Sequence, residues 1–339
     1  MGQNNLTSHP SPFTSRFKVC VRCATFNHAP YIAQTMDGFC MQQTSFPYVC
    51  VIIDDASKDG AQEVIRQYMK TQFENTEIAE DPENYQLLTA RHKGNQNCHF
   101  VVYLLKRNHY SQGKMPLAYG DKWKEQTQYV ALCEGDDYWT DAKKLQRQSD
   151  ALDANPHAVM VYTNFKCVGA NGEHISRPLI KSFPQRSHSG DNLPTLFRYG
   201  NYILTLTTMY RHEVWNSESY KSRPNNMDFS LTMSAALMGD FIWMPEQTAC
   251  YRSLEYGMVK TSLRKGVHFA QDIYRHYALL AMHGQCKPLS FTQHIRITTL
   301  ILMRALKKKD RQLKKNVLSV SPLSYLLLPI AFVRLKIKK

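Results

Sequence analysis

"YVCVIIDDASKDG", residues 48–60, joins an unbroken apolar run to two adjacent aspartates, Asp54 and Asp55, and then to a polar turn. An apolar run without polar alternation is typical of a strand that is buried on both faces, as in parallel sheets. The helical pattern "AQEVIRQYMKTQF" follows directly, at residues 61–73. This order of strand, turn and helix indicates one unit of an α/β domain.

The same pattern extends in both directions from this stretch. Buried strands are predicted at 17–27, 99–108, 128–137 and 158–169, and helices at 28–43, 140–155 and 227–239. Residues 74–97 are polar with little periodicity and are expected to be irregular. The alternation of strands and helices predicts an α/β fold with a mostly parallel sheet flanked by helices.

The charge of the chain is concentrated at its C-terminal end. The net charge is +14, and the segment from Leu289 to the end contributes twelve Lys or Arg against one acid, Asp310. The remaining body is nearly neutral, which argues against nucleic acid as a partner. The nine cysteines are scattered, and the pair Cys20 and Cys23 lies in a strand pattern. We therefore expect buried thiols there rather than a zinc site.

Two pairs of carboxylates follow predicted strands. Asp54 and Asp55 end one strand, and Asp136 and Asp137 end another. Ligands of open α/β sheets bind outside the carboxyl ends of the strands. Adjacent carboxylates there can share a divalent cation that also takes water and phosphate oxygens. The alternative is that these aspartates only cap turns and helices.

Four motifs together resemble the family 2 glycosyltransferases, which are inverting enzymes with the GT-A fold. They are "ATFNHAPYI" (24–32), "VIIDDASKDG" (51–60), "NHYSQG" (108–113) and "YVALCEGDDYWTDAKKLQRQ" (129–148). The resemblance runs from about Val19 to Arg252. "CEGDDYWTD" with "NHYSQGK" is similar to a bacterial subgroup associated with surface-polysaccharide assembly. The implied architecture is a Rossmann-like GT-A domain, here with a basic helical C-terminal extension.

The resemblance also implies roles for individual residues. The nucleotide-sugar site would comprise Thr25, Asn27, Asp54, Asp55, Asn108, Asp136 and Arg252. Asp55 matches the carboxylate that reads the uracil ring, and Asp54 would support it or merely cap the turn. Asp137 matches the ligand of Mg²⁺ or Mn²⁺.

The catalytic base is expected in "NMDFSLTMSAALMGDFIWMPEQTACYR", residues 226–252. The family places its base at the start of a helix ahead of a strand and a Y-R motif, which makes Asp228 the candidate. Asp228 as a helix cap alone is the alternative. The chain departs from the family pattern at Ala24, where Pro is usual, and at Leu254, which replaces a His.

The basic C-terminal segment predicts contact with an anionic membrane surface. Its uninterrupted apolar run, Tyr325–Val333, is nine residues long, well short of the roughly 20 needed to span a bilayer. Lys and Arg flank this run on both sides, as expected at the inner face of a cell membrane. The alternative is a solvated basic helix followed by a segment packed on the catalytic domain.

Together these patterns predict three regions and one activity. The regions are a disordered lead-in (1–16), a catalytic domain (17–255, with halves at about 17–140 and 141–255) and a helical basic region (256–339). The activity is metal-dependent, inverting transfer of a sugar from a nucleotide-sugar, UDP-linked, to a glycan or lipid-linked acceptor. The acceptor belongs to surface-polysaccharide synthesis at the cytoplasmic membrane face. A sugar nucleotidyltransferase is the alternative enzyme, although "ATFNHAPYI" lacks its Gly-rich basic loop. A catalytically degenerate nucleotide-sugar-binding protein is the third possibility.

Overall fold

The structure, a computed structural model, describes residues 16–225, 228–254, 269–320 and 323–337. The chain divides into two compact units, with the boundary between Asp136 and Asp137. All but the last residue of the predicted lead-in, and residues 256–268 of the predicted C-terminal region, lie outside the described residues. The domain boundaries expected from the sequence stay a prediction.

The described residues of the first unit contribute six neighbouring strands of the sheet, in the order β3-β4-β5-β2-β1-β6. Its strands are β1 (Val19–Thr25), β2 (Tyr48–Asp54), β3 (Phe73–Glu80), β4 (Tyr85–His92), β5 (Cys98–Leu105) and β6 (Tyr129–Leu132). Its helices are α1 (Ile32–Cys40), α2 (Ala61–Gln72) and α3 (Asp121–Lys124). β5, β2, β1 and β6 run parallel, and β2 and β5 are buried along their whole length, as their apolar runs predict.

Residues 74–97, expected to be irregular, instead supply most of the antiparallel pair β3 and β4 at the edge of the sheet. That expectation was wrong because an edge pair exposes much of its surface and can therefore carry polar residues that mask strand periodicity. Leu87 and Leu88 are buried, whereas the edge strand carries Glu74 and Glu80. Charge on an edge strand is a common protection against unwanted strand pairing.

The sheet register places the ends of β1 and β2 side by side. Thr25 pairs with Asp54, and Asp54 pairs with Leu104 at the end of β5. The loops that follow these strands therefore leave the sheet at one edge. The polar residues of the recognised motifs lie in those loops.

Among its described residues, the second unit has four strands in the order β9-β8-β10-β7. They are β7 (Tyr138–Trp139), β8 (Ala158–Val168), β9 (Thr208–Arg211) and β10 (Asp240–Arg252). β8 and β10 run parallel, and β7 pairs antiparallel with the end of β10. The helices up to β10 are α4 (Lys144–Ala154), α5 (Pro178–Lys181), α6 (Leu193–Tyr199), α7 (Glu213–Asn216), α8 (Glu218–Lys221) and α9 (Asp228–Met238).

Helices make up most of the described part of the C-terminal region. They are α10 (Phe269–Met282), α11 (Phe291–Lys307), α12 (Arg311–Val320) and α13 (Leu323–Ile337). A capping box begins α11, in which Ser290 and Gln293 exchange side-chain and backbone hydrogen bonds. Within the described ranges, none of the helices combines the length and hydropathy required to cross a membrane.

Candidate functional site

Asp55 ties the end of β2 to the loop that follows β5. Its two carboxylate oxygens accept the backbone N–H groups of His109 (2.7 Å) and Tyr110 (3.0 Å), and its side chain is buried. The Asn108 amide in turn donates to the carbonyl of Asp55 at 3.0 Å. The predicted uracil-reading residue and the "NHYSQG" motif thus form one hydrogen-bonded assembly. Each carboxylate oxygen has a second lone pair that can accept a hydrogen bond from a ligand N–H.

Asp54 has the surroundings of a turn-capping residue. It is fully buried, and its carboxylate accepts hydrogen bonds from the Ser57 N–H at 2.9 Å and from the Gln62 amide at 2.8 Å. The Ser57 hydroxyl also donates to it. These contacts rigidify the turn that carries Asp55, and a direct contact of Asp54 with a nucleotide stays a prediction.

Asn27 joins the loop after β1 to the turn after β2. Its backbone N–H donates to the Ser57 hydroxyl, and its side-chain oxygen accepts the N–H of Lys58, each at 2.8 Å. Asn27 has a φ of 56°, a left-handed conformation that Asn tolerates better than most residues. Asp59 makes a second link by accepting the N–H of Ala29 at 2.8 Å. The polar residues of the first two motifs therefore hold each other in place.

Gly135 allows the loop after β6 to approach the end of β1. A Cβ atom at this position would lie 2.4 Å from the Thr25 hydroxyl, closer than any real contact. The same Thr25 hydroxyl lies 3.3 Å from Nδ1 of His28, and Nε2 of His28 lies 3.9 Å from an oxygen of Asp136. Thr25 and Asp136, both predicted to lie near the nucleotide, are thus bridged by His28.

An open cleft of about 550 Å³ adjoins this assembly in the first unit. Asn108 forms part of its wall, together with three basic residues, Lys58, Lys106 and Arg107. Lys106 is paired with Asp81 at 2.7 Å, and Arg107 with Glu83 at 3.3 Å. The cleft lies beside the predicted nucleotide-sugar residues, and the acidic partners of Lys106 and Arg107 offset part of its positive charge.

In the second unit, Asp137 is anchored to the end of β10. Its Oδ1 accepts the backbone N–H of Arg252 at 2.6 Å, and both residues are buried. The Arg252 guanidinium donates to the carbonyls of Gly169 (3.2 Å) and Ala170 (3.1 Å) and lies over the Tyr138 ring at 5.2 Å. Arg252 therefore braces the loop that carries Asp137, and its place in the nucleotide-sugar site stays a prediction.

Trp139, two residues after Asp137, is packed in the interior rather than lying on the surface. Its side chain is buried, and its indole N–H donates to the Leu206 carbonyl at 2.9 Å. The ammonium group of Lys144, also buried, lies 4.5 Å from the Trp139 ring centroid. α4 begins at Lys144, after a turn in which Asp141 accepts the N–H of Lys143 at 2.9 Å. Asp141 thus caps the turn that leads into the helix, and the N-cap residue Lys143 makes no side-chain capping hydrogen bond.

Asp228 is the first residue of α9, where the sequence predicted the base. Thr205 donates its hydroxyl to Oδ2 of Asp228 at 3.0 Å. Asp228 is exposed as a residue, yet the protein packed around its carboxyl partly desolvates that group and so raises its pKa above the usual 3.8. The Thr205 hydrogen bond opposes this shift in pKa. A carboxylate with a raised pKa is a better proton acceptor than an ordinary one.

Asp137, the predicted metal ligand, offers carboxylate oxygens, which suit Mg²⁺ or Mn²⁺. Across residues 16–225, 228–254, 269–320 and 323–337, no group of three or more His, Cys, Asp or Glu side chains is arranged to hold a metal ion by itself. Residues of this kind fit a cation that takes its remaining ligands from diphosphate and water.

Three residues of this region were not predicted from the sequence. They are His28, Asp59 and Thr205. Asp59 stands in the "DDASKDG" motif, so its position gave a signal. His28 likewise stands in "ATFNHAPYI", although its partner Asp136 is distant in the sequence, whereas Thr205 lies in none of the quoted motifs.

Residues 20–99 match the model of the glycosyl transferase family 2. The proteins Rv1520 of Mycobacterium tuberculosis and Mb1547 of Mycobacterium bovis are each 28% identical to this chain over 237 residues, which are 69% of this chain. This chain covers only 58% of the length of these relatives.

Solved structures of S. aureus TarS share the fold. The fragment 1–349 in complex with UDP-GlcNAc has a TM-score of 0.56 at 15% identity, covering 94% of this chain and 84% of that chain. The same fragment with UDP has a TM-score of 0.53 at 15% identity, covering 88% and 75%. The GT-A fold and the resemblance to family 2 glycosyltransferases are thereby confirmed.

Proposed function

We propose that this family 2 glycosyltransferase transfers a sugar from a UDP-sugar to a glycan or lipid-linked acceptor, with inversion, in the synthesis of a bacterial surface polysaccharide. The observation that carries the proposal is the position of the motifs on a GT-A fold. β1 and β2, both within the family match, end side by side at Thr25 and Asp54, next to Asp55. TarS, which shares this fold, has been solved with UDP and UDP-GlcNAc.

The donor is held by the first unit. We assign Asp55 to the nucleobase and the loops of Thr25, Asn27 and Asn108 to the walls of the nucleotide site. The hydrogen bonds of Asp55 to the N–H groups of His109 and Tyr110 fix the carboxylate before a nucleotide arrives. Such pre-organisation lowers the ordering cost of binding.

Departure of the nucleoside diphosphate requires neutralisation of its charge. Asp137, oriented by the Arg252 N–H, is the residue that would hold Mg²⁺ or Mn²⁺. When bound, such a cation stabilises negative charge on the leaving diphosphate as a Lewis acid.

Inversion requires one displacement in which a base takes the proton of the acceptor hydroxyl. Asp228 is assigned this role, because its raised pKa improves its basicity and the Thr205 hydroxyl fixes its orientation. A positioned carboxylate base contributes about 10²–10⁴-fold to the rate.

The acceptor would lie at the inner face of the cell membrane, to which the basic C-terminal region is attracted.

The test is a panel of nucleotide-sugars assayed for nucleoside diphosphate release, with membrane extract as acceptor and Mg²⁺ or Mn²⁺ present or chelated. We expect metal-dependent release with a UDP-sugar and a product of opposite anomeric configuration by NMR. Asp228→Asn should abolish turnover while donor binding remains. Asp150→Asn, an exposed change on α4, is the matched control.

The same assay distinguishes the alternatives. Pyrophosphate release from a nucleoside triphosphate and a sugar phosphate would identify a nucleotidyltransferase instead. Binding of nucleotide-sugars without turnover of any donor would indicate a degenerate binding protein.

A further inference from the structure

Helix α13 exposes a continuous apolar surface. We define the α13 arc as its exposed apolar residues between positions 325 and 333. They are Tyr325, Leu326, Pro329, Ile330, Phe332 and Val333. At 100° per residue these side chains cover an arc of about 160° around the helix axis. Exposed apolar patches of this kind mark interaction sites.

The opposite side of α13 is already packed. Leu327 and Ala331 are buried, four residues apart on one face, and the helix packs chiefly on α11. The helix is therefore apolar on both sides, one of which faces protein while the other faces outward. An ordinary surface helix has a polar outer face instead.

The surroundings of the arc are cationic. The segment from Leu289 to the end has a net charge of +11. Its one acid, Asp310, is buried and bound to Arg275 at 3.0 Å on α10, so it does not offset the surface charge. Lys307, Lys308 and Lys309 are exposed at the end of α11. The partner of this region should therefore combine negative charge with an apolar layer.

We propose that the α13 arc lies in the interface of an anionic membrane, with the helix parallel to the bilayer plane. At 1.5 Å per residue, the fifteen residues of α13 extend about 22 Å, too short for the roughly 30 Å hydrocarbon core. A surface helix whose outward apolar side chains insert among headgroups, with Lys and Arg beside acidic lipids, binds without spanning. The helix thus packs on the protein and contacts lipid with its other face.

A second copy of the chain is a less favourable occupant. Pairing through this face would bring two segments of +11 charge together, and like charges in proximity repel. An anionic leaflet attracts the same charge. This contact surface deepens the proposed membrane location, yet it would serve any activity of the chain, so its failure leaves the proposed reaction intact.

The experiment measures flotation of the full chain with vesicles of phosphatidylcholine alone or with about one third phosphatidylglycerol. The test variant is Leu326→Ser with Phe332→Ser, and the matched control is Ile78→Ser, an equally exposed apolar residue on β3. We expect binding to anionic vesicles only, a partition coefficient at least about tenfold lower for the double variant, and no change for the control. Circular dichroism establishes that each variant is folded.

A reporter variant provides a second measurement that needs no loss of function. Tyr325→Trp should show a blue-shifted emission with anionic vesicles and quenching by brominated acyl chains. Equal vesicle binding by wild type and double variant, or a Tyr325→Trp emission unchanged by vesicles, would overturn the proposal. So would a dimer in sedimentation that the double variant dissociates while vesicle binding stays the same, which would identify a second copy as the occupant.

Discussion

The backbone N–H of Arg252 donates to Oδ1 of Asp137 at 2.6 Å, across 115 residues of sequence. The last residue of β10 thereby orients the carboxylate that follows β6. Both residues are buried, so the hydrogen bond is shielded from competing water. Asp137 therefore has two properties that can be tested separately: its oxygen accepts the Arg252 hydrogen bond, and its carboxylate carries a negative charge.

Asp137→Asn tests the charge alone. The amide oxygen can still accept the Arg252 N–H, so we expect the melting temperature to change little. Loss of the anionic ligand should reduce metal-dependent turnover by about 10²-fold or more and weaken Mn²⁺ binding. Turnover and Mn²⁺ titration by calorimetry check this, with Asp150→Asn as control. Normal Mn²⁺ affinity in the variant would exclude Asp137 as a ligand.

Asp55→Ala should destabilise the first unit and also weaken the binding of the nucleotide-sugar. The change removes the acceptor of two N–H groups, those of His109 and Tyr110, and an unsatisfied buried donor costs about 1–3 kcal/mol. We expect a loss of about 2–4 kcal/mol in the free energy of unfolding, measured by urea denaturation. Glu83→Ala, which breaks an exposed ion pair with Arg107, should cost at most about 1 kcal/mol. Equal stability of the two variants would contradict the role of Asp55 as a structural link.

Gly135→Ala should disrupt the contact between the β6 loop and the end of β1. The added methyl would lie 2.4 Å from the Thr25 hydroxyl and 2.5 Å from its Cβ, so the backbone must shift. Overpacking of this kind costs about 1–3 kcal/mol, and UDP affinity should fall because Thr25 and Asp136 are displaced. Gly94→Ala, where the nearest atom is 3.5 Å away, is the control for the same chemical change. UDP affinity that is unchanged in Gly135→Ala would show that the loop adapts.

The pH dependence of kcat/KM should reveal Asp228. As a base it must be ionised, so activity should fall as the pH decreases through its pKa, which burial raises above 3.8. Thr205→Val removes a hydrogen bond to the ionised carboxylate and should move this acidic limb to higher pH, whereas Thr205→Ser should restore it. The nearby Tyr210 does not interfere, because burial raises its pKa and keeps it neutral.

Thr71→Val, at an exposed hydroxyl that hydrogen-bonds only carbonyls of its own helix, is the matched control and should leave the profile unchanged. An acidic limb that stays in place in Thr205→Val would remove Thr205 as a positioning residue for the base.

Much of the first unit was accessible from the sequence because its central strands are buried on both faces. The apolar runs "YVCVIIDD" and "HFVVYLL" indicate strands that are buried on both faces. The Asp and Asn residues of the motifs lie at or just after the ends of these strands. The antiparallel strands β3 and β4 at the edge of the sheet were not predictable by the same criterion, since polar residues such as Glu74 and Glu80 interrupt the apolar pattern. Cys20 and Cys23 were predicted as buried thiols, and both are free and buried in β1.

The roles of individual residues were harder to predict than the strands and helices. Asp54 and Asp55 are adjacent and chemically identical, yet one accepts bonds from its own turn and the other from a loop more than fifty residues away. Arg252 matches a motif in which a guanidinium faces a ligand, whereas its side chain here donates to two carbonyls of the chain. Local patterns do not contain the partners of Asp55 and Arg252, because those partners are distant in sequence.

The sequence by itself determined the fold class, the carboxylates at the strand ends and the basic character of the C-terminal region, because periodicity, strand ends and charge are local properties. Only the tertiary structure decided that His28 bridges Thr25 and Asp136, that Thr205 supports Asp228, and that α13 is buried on one side and exposed on the other. These features depend on which distant surfaces meet, and the free energy of packing selects those surfaces for the chain as a whole.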